Sequence, residues 1–485
     1  MTQNSAESKQ ASTGKNWRVI LSSILVILVA LWINYLFPSN KQRNEQGDVA
    51  LSSSVYPISD EMKDYVSNRV ISVPTPVVQQ SMKEPSPALL PLLEQVSLDN
   101  NVMISVFDYS FLDQFYSFYH NSILPLNITN FIAFALDHRT YSTLQEWGIP
   151  SILFELDTND NTSISSDFDE SSFSNKVNMK TMAVLHVLRS GYNVLLTDVD
   201  VVLFKNPFDF FTCHCCDIHI QRDELSIKSH DRNSGFVYVK NTPRSLELFD
   251  LAWHYYEENR MIRQQPALNK AIDVMLKKQL RIQLLPLKSF VPGFLFFETL
   301  HFNQLKSLPC KECVMFHNNW IVSAEAKEYR LKELGLFYSP YDDYSDETVN
   351  YLTYEPLGLE ATIEEEQSLL ETALRLSIAL DRVLILPSFS CHANDTLNQQ
   401  SHHVLLSDGC TLNTYWCVRQ FDSVFKGRYR EHSFLFNPRV PQSVRDAFDR
   451  ATTFSFRIGN GESLEENASF ISSFIHSIIP LQVRH

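Results

Sequence analysis

Apolar residues recur along the chain with two different spacings. Val102-Met-Ile-Ser-Val-Phe107 is apolar apart from one serine, and similar short runs fall at 131–136, 151–155 and 194–196. Unbroken runs of this length predict strands covered on both faces, since a strand with one wet face would alternate. Between them the spacing becomes helical. Residues 111–119 are aromatic-rich, 140–147 end at Gly148, and 178–189 place Met182, Leu185 and Leu188 on one side before Gly191. Glycine just past a periodic stretch is a common helix stop. Strands alternating with helices predict an α/β domain with a mainly parallel sheet over residues 98–340. Residues 341–360, acidic and tyrosine-rich, read as a linker. A long amphipathic helix at 361–380 and a strand at 382–387 open a smaller α/β region, 361–485, to which no role is assigned.

Ahead of this domain the pattern is different. Residues 19–37 carry no charge, and Lys9, Lys15 and Arg18 precede them. At about 1.5 Å per residue such a helix just spans a bilayer core. The cationic flank predicts a signal-anchor with residues 1–18 in the cytosol and the rest in the lumen. A cleaved signal peptide has a shorter apolar region, about 7–15 residues, and a small-residue cleavage site. Residues 38–97 are rich in Ser, Pro, Gln and charge and are expected to form a stem.

Composition adds bounds. The chain has 485 residues, enough for two or three domains, and its net charge of −15 argues against nucleic acid as the main partner. Sequons at Asn127, Asn161, Asn394 and Asn467 and an even number of cysteines, eight, are consistent with a lumen. Disulfide pairing is not readable from spacing. The cluster Cys213-His-Cys-Cys216, with Cys310 and Cys313, imitates a zinc site but matches no standard finger.

The chemistry centres on Asn193-Val-Leu-Leu-Thr-Asp-Val-Asp200. Residues two apart on a strand share a face, so Asp198 and Asp200 are expected to converge. Paired carboxylates can hold a divalent cation, and a hard cation can hold a diphosphate. Asp108 and Asp137 also follow apolar runs, and ligands of parallel sheets bind at the carboxyl ends of strands. The three aspartates 108, 137 and 198 are therefore expected to line one crevice. Asn233 offers a donor and an acceptor for sugar hydroxyls. Gly235 and Gly293 would permit close approach of backbone to a ligand. His317, after an apolar run, would supply a nitrogen ligand to the same metal.

The order of these features is what resembles a known family. Phe134-Ala-Leu-Asp137, Lys180, Gly191-Tyr-Asn-Val-Leu-Leu-Thr-Asp-Val-Asp200, Lys205-Asn-Pro-Phe208, Asn233-Ser-Gly-Phe236, Gln265-Pro-Ala-Leu-Asn269 and His317 carry the resemblance. The stretch from about 101 to 338 resembles the nucleotide-diphospho-sugar transferases that include plant rhamnogalacturonan xylosyltransferases and extensin arabinosyltransferases (glycosyltransferase family 77). The resemblance implies a GT-A-type, Rossmann-like mixed sheet flanked by helices. It implies a type II Golgi membrane protein that transfers a sugar, a pentose or galactose, with retention. The donor would be a nucleotide sugar, UDP-linked, used with Mn2+ (or Mg2+), and the acceptor a glycan or glycoprotein. Asp198 and Asp200 would contact metal and ribose, with His317 completing the shell. Lys180 would meet the donor phosphate or sugar, and Asn233 and Gly235 the transferred sugar. Two positions depart from the family: Gln264 stands where members carry Asp, and Leu203 where they carry Trp. Asp223 is then the remaining acidic candidate near the donor, grouped with Gln264 and Gln265 as the catalytic set. The alternative is a catalytically inactive nucleotide-sugar-binding or scaffold protein on the same fold.

Overall fold

The computed structural model describes residues 85–154, 171–223, 232–300, 311–340, 344–357, 361–389, 405–406 and 409–450. The expected cytosolic tail (1–18), the expected membrane helix (19–37), most of the expected stem and residues 451–485 lie outside them. Among the described residues no helix is long and apolar enough to cross a membrane.

Helix α1 (Leu89–Val96) leads into β1 (Asn101–Phe107), α2 (Leu112–Phe118), β2 (Phe131–Ala135), α3 (His138–Glu146), β3 (Ser151–Leu153) and α4 (Ser171–Arg189). Then come β4 (Asn193–Thr197), β5 (Val201–Leu203), β6 (Ile218–Arg222), β7 (Arg232–Val239), α5 (Pro243–Glu258), α6 (Gln264–Leu276), β8 (Ile282–Leu284), β9 (Phe290–Pro292), β10 (Met315–His317) and α7 (Ala324–Glu333). Seven strands form the main sheet in the order β3-β2-β1-β4-β7-β6-β8. The first four are mutually parallel, whereas β7 runs antiparallel to both β4 and β6. The Rossmann-like mixed sheet with flanking helices is as expected.

Alternation along β1 explains why its sequence reads as one apolar run. Val102, Ile104 and Val106 face a core shared with α4, α5 and α6, while Met103 and Phe107 face a second core with α2. Both faces are dry, so both residue sets are apolar. The stretch expected to be stem enters the first core, because α1 buries Leu89, Leu92, Leu93 and Val96 there. At about 2 kcal/mol per buried side chain, this helix is part of the folded domain. Helix α4 also begins seven residues before the expected 178, at Ser171. Residues 155–170, ahead of this helix, lie outside the described ones.

A second sheet orders β5-β10-β9 and matters most for function. β10 runs antiparallel to β5 with His317 opposite Val201. That register sets His317 next to the residue preceding β5, Asp200.

Beyond residue 344, β11 (Tyr351–Leu352) and β12 (Val383–Ile385) join Tyr429–Arg430 in a small parallel sheet, with α8 (Ile363–Ala379) between the first two in the chain. A capping box between Thr362 and Glu365 starts α8. Ile321, Ala326 and Tyr329, on α7 and the turn before it, share a core with Ile363, Leu370 and Leu384. The C-terminal region therefore packs directly on the helix that follows His317.

Candidate active site

Strand β4 stops at Thr197, and residues 198–200 form a turn into β5. The two carboxylates do not share a strand face, as the sequence had suggested. They converge because the chain turns between two sheets. The backbone N–H of Asp198 donates to the carbonyl of Gly235 (2.7 Å), and the N–H of Asn318 donates to that of Asp200 (2.8 Å). The main sheet thus fixes one aspartate and the small sheet the other.

Asp198, Asp200 and His317 offer ligand atoms that all lie within 4.8 Å of one another. His317 Nε2 is 3.1 Å from Asp200 Oδ1 and 3.9 Å from Asp198 Oδ2. Its Nδ1 lies 3.0 Å from Oε1 of Gln221, a fully buried side chain. The Gln221 amide N–H points to the carbonyl of Phe290 (3.5 Å), which leaves its oxygen for the histidine. A proton held on Nδ1 by Gln221 would leave Nε2 to a cation bound beside the aspartates, the tautomer a metal ligand needs.

Two lysines flank the carboxylates. Lys180 on α4 pairs with Asp198 at 2.5 Å, and Lys327 on α7 pairs with Asp200 at 2.7 Å. Burial pushes the Asp200 carboxyl upward. Lys327 and His317 outweigh burial and hold the group well below the usual carboxylate range. Lys327 was not singled out in the sequence. It lies ten residues beyond His317 in a polar helix, and only the fold aims it inward. The side chain of Asn318 helps fix it by donating to the Lys327 carbonyl (2.8 Å).

Gly235 makes the cluster possible. A Cβ at that position would lie 2.5 Å from Asp198 Oδ2 and 2.6 Å from His317 Cε1. Gly293 answers a different constraint. A Cβ there would meet the carbonyl oxygens of Asn319 (2.2 Å) and His317 (2.9 Å), so the close approach at Gly293 is to protein backbone.

Asp223, at the end of β6, collects four side-chain donors. Asn233 Nδ2, Asn319 Nδ2 and Trp320 Nε1 each lie 3.1 Å from Oδ1, and Gln265 Nε2 lies 2.8 Å from Oδ2. Asn233 also accepts from the N–H of Gly235 (2.8 Å), linking this hub to the aspartate–histidine cluster. Gln265 accepts from the N–H of Ser234 (3.1 Å), so the first turn of α6 and the start of β7 are tied together. Gln264 behaves differently: it is 3% exposed, and its amide nitrogen finds no hydrogen-bond partner among the described residues. Leu203, the other departure from the family, is buried, with its N–H donated to Ser122 (2.9 Å).

The remaining aspartates are occupied locally. Asp137 caps α3 by accepting from the N–H of Thr140 (2.7 Å) and also accepts from that of Tyr109 (2.8 Å). Asp108 caps the 3-10 turn Tyr109–Phe111 and pairs with Lys176 (2.8 Å). Lys176 and Lys180 sit one turn apart on α4, so a single helix face serves both Asp108 and Asp198. Asp108, Asp137 and Asp198 follow the ends of adjacent parallel strands, yet the first two hold backbone in place. The cysteine cluster offers few thiolates, since Cys213 and Cys216 are disulfide-bonded and Cys215 alone of the three is free.

Paired carboxylates and an imidazole beside two cations lie at the carboxyl edge of a Rossmann-like sheet, the arrangement expected of a nucleotide-sugar glycosyltransferase. The family model described as nucleotide-diphospho-sugar transferase matches residues 126–331. Among curated relatives, arabinosyltransferase XEG113 of Arabidopsis thaliana is 22% identical over 407 residues, covering 72% of this chain and 61% of that protein. The UDP-D-xylose:L-fucose alpha-1,3-D-xylosyltransferase 3 of the same plant is 28% identical over 227 residues, covering 42% and 55%. Among solved structures, mouse xyloside xylosyltransferase 1 aligns with 45% of this chain and 98% of its own at 10% identity and a TM-score of 0.30. The chain spans 55–61% of the length of these two curated relatives. Residues 126–331 are thus similar to the nucleotide-diphospho-sugar transferase family.

Proposed function

We propose that this protein is a Golgi type II membrane glycosyltransferase. It takes a pentose or galactose from a UDP-linked donor and transfers it, with retention, to a glycan or glycoprotein. One observation carries the reading: Asp198, Asp200 and His317 converge within 4.8 Å, flanked by Lys180 and Lys327. Two carboxylates and a neutral imidazole suit a borderline-hard divalent cation such as Mn2+. The side chain missing at Gly235 leaves the space beside them clear. A divalent ion bound there would supply Lewis-acid stabilisation to the leaving diphosphate.

The chain's own residues do the rest. Lys180 and Lys327 approach from opposite helices and can turn from carboxylate to phosphate, offsetting charge on the leaving group. Gln221 holds the His317 tautomer. Asn233 and Asp223 stand one step along β7 and β6 from the cluster, within reach of a sugar joined to the diphosphate. Front-face displacement requires no protein nucleophile, so the neutral Gln264 is compatible with turnover. Retention itself rests on the family resemblance, and the Golgi setting on the charge-free 19–37 stretch with its cationic flank.

The alternative, a donor-binding protein without turnover, has one observation in its favour. Gln264 places a buried amide, whose nitrogen has no partner among the described residues, where a carboxylate is expected. A single experiment separates the two readings. Full-length protein is incubated with Mn2+ and UDP-xylose, UDP-arabinofuranose or UDP-galactose, and UDP release is measured. The transferase reading predicts release from at least one donor, reduced about 100-fold or more in Asp200→Asn. UDP binding without release from any donor would establish the alternative.

A further inference from the structure

Four consecutive residues, His317-Asn-Asn-Trp320, leave β10 with four different tasks. His317 joins the carboxylate pair, Asn318 fixes Lys327, Asn319 reaches Asp223, and Trp320 turns outward. Trp320 is 41% exposed despite its size, and its backbone adopts φ 59°. A left-handed conformation is uncommon for a bulky residue and persists where the surroundings enforce it. Here they do. The Asn319 side-chain oxygen accepts from the N–H of Gly293 (2.6 Å), and its backbone carbonyl accepts from the fully buried Arg330 (3.3 Å). Gly293 permits this approach, and the next residue, Phe294, meets the indole edge-to-face at 5.3 Å between centroids. The indole N–H is committed to Asp223, which fixes the ring plane.

We propose that Trp320, backed by Phe294 and edged by Asp223, is the binding platform for the acceptor saccharide. This inference rests on the transferase reading. An aromatic ring offers an apolar face to the C–H face of a sugar while its polar edge stays hydrogen-bonded. Asp223 Oδ2 receives one side-chain donor, so it keeps acceptor capacity for a sugar hydroxyl. The order of contacts selects the acceptor over the donor sugar. From the Asp198–His317 cluster the contacts run through Gly235 and Asn233 to Asp223, and Trp320 lies beyond it.

The test uses full-length protein and two independent titrations. Methyl α-L-fucoside, methyl α-L-arabinofuranoside and methyl β-D-galactoside are titrated by saturation-transfer difference NMR, and UDP with Mn2+ by calorimetry. At least one glycoside should bind. Trp320→Ala should weaken it about tenfold while UDP affinity moves less than about twofold. Trp320→Phe, which keeps a ring but loses the N–H, should weaken it about threefold and serves if the alanine variant does not fold. Loss of UDP affinity in parallel with glycoside affinity would place the ring at the donor sugar and overturn the assignment. So would unchanged glycoside binding in both variants, or wild-type protein that takes UDP but none of the glycosides. Glycoside binding without UDP uptake would support the platform and sink the transferase reading instead.

Discussion

Gly235 shows how little space the cluster leaves. A methyl group there would sit inside contact distance of both Asp198 and His317. Gly235→Ala is therefore expected to lower Mn2+-dependent UDP affinity by more than about tenfold through displaced ligands. Thermal unfolding should move only modestly; calorimetry and a melting curve on one sample check both. Unchanged UDP affinity would show that the crowded point is not where ligand binds. Gln221 is the corresponding partner of the imidazole. Gln221→Leu removes the acceptor at Nδ1 and should weaken cation affinity about 10–100-fold. An equally tight cation would mean that the tautomer is set by something other than this amide. At this scale the sequence showed much of the cluster: Asp198, Asp200 and His317 were readable from apolar runs ending in ligand-type side chains. Lys327 and Trp320 were not, because their roles depend on a turn after β10 that no local pattern announces. Asp108 and Asp137 look in sequence like Asp198, and only hydrogen bonding shows that they cap local structure.

Among elements, the strands were the most legible, since burial on both faces leaves a continuous apolar run. Helix α1 was hidden by its neighbourhood. Pro85, Pro87 and Pro91 give it the look of a stem, although Leu89, Leu92, Leu93 and Val96 are at helical spacing and buried. Leu93→Ala should destabilise the domain by about 2–5 kcal/mol if this helix is part of the core. Chemical denaturation measures it, and a change below about 0.5 kcal/mol would return the helix to the stem. The small sheet was also invisible in advance. Its three-residue strands are too short to show a period, yet the His317–Val201 register assembles the site. The aspartates meet through a turn between two sheets, a geometry that spacing alone cannot reveal.

Across the molecule, the C-terminal region packs against the helix that carries Lys327. Tyr329 and Glu333 of α7 face Glu431, and Glu333 accepts from the Tyr329 hydroxyl (2.6 Å) and from the N–H groups of His432 and Ser433 (3.3 Å each). Burial first, and the charge of Glu431 second, push the Glu333 carboxyl up to about 7 from 4.5. A carboxyl raised on folding leaves the native state with more bound protons between those two values. Stability therefore falls as pH rises through that window and levels off above about 7, a loss on the order of 3 kcal/mol. Glu333→Gln should flatten this slope when unfolding is followed from pH 5 to 8. A wild-type slope that persists in the variant would assign it to other groups.

The functional reading depends on the carboxylate–histidine cluster holding a divalent ion for a nucleoside diphosphate. Calorimetric titration of the full-length protein with UDP, with and without Mn2+, tests that most directly. The account predicts at least about tenfold tighter UDP binding with Mn2+ in the wild type and loss of that difference in Asp200→Asn. UDP binding indifferent to Mn2+, or a Mn2+ effect that survives Asp200→Asn, would contradict it.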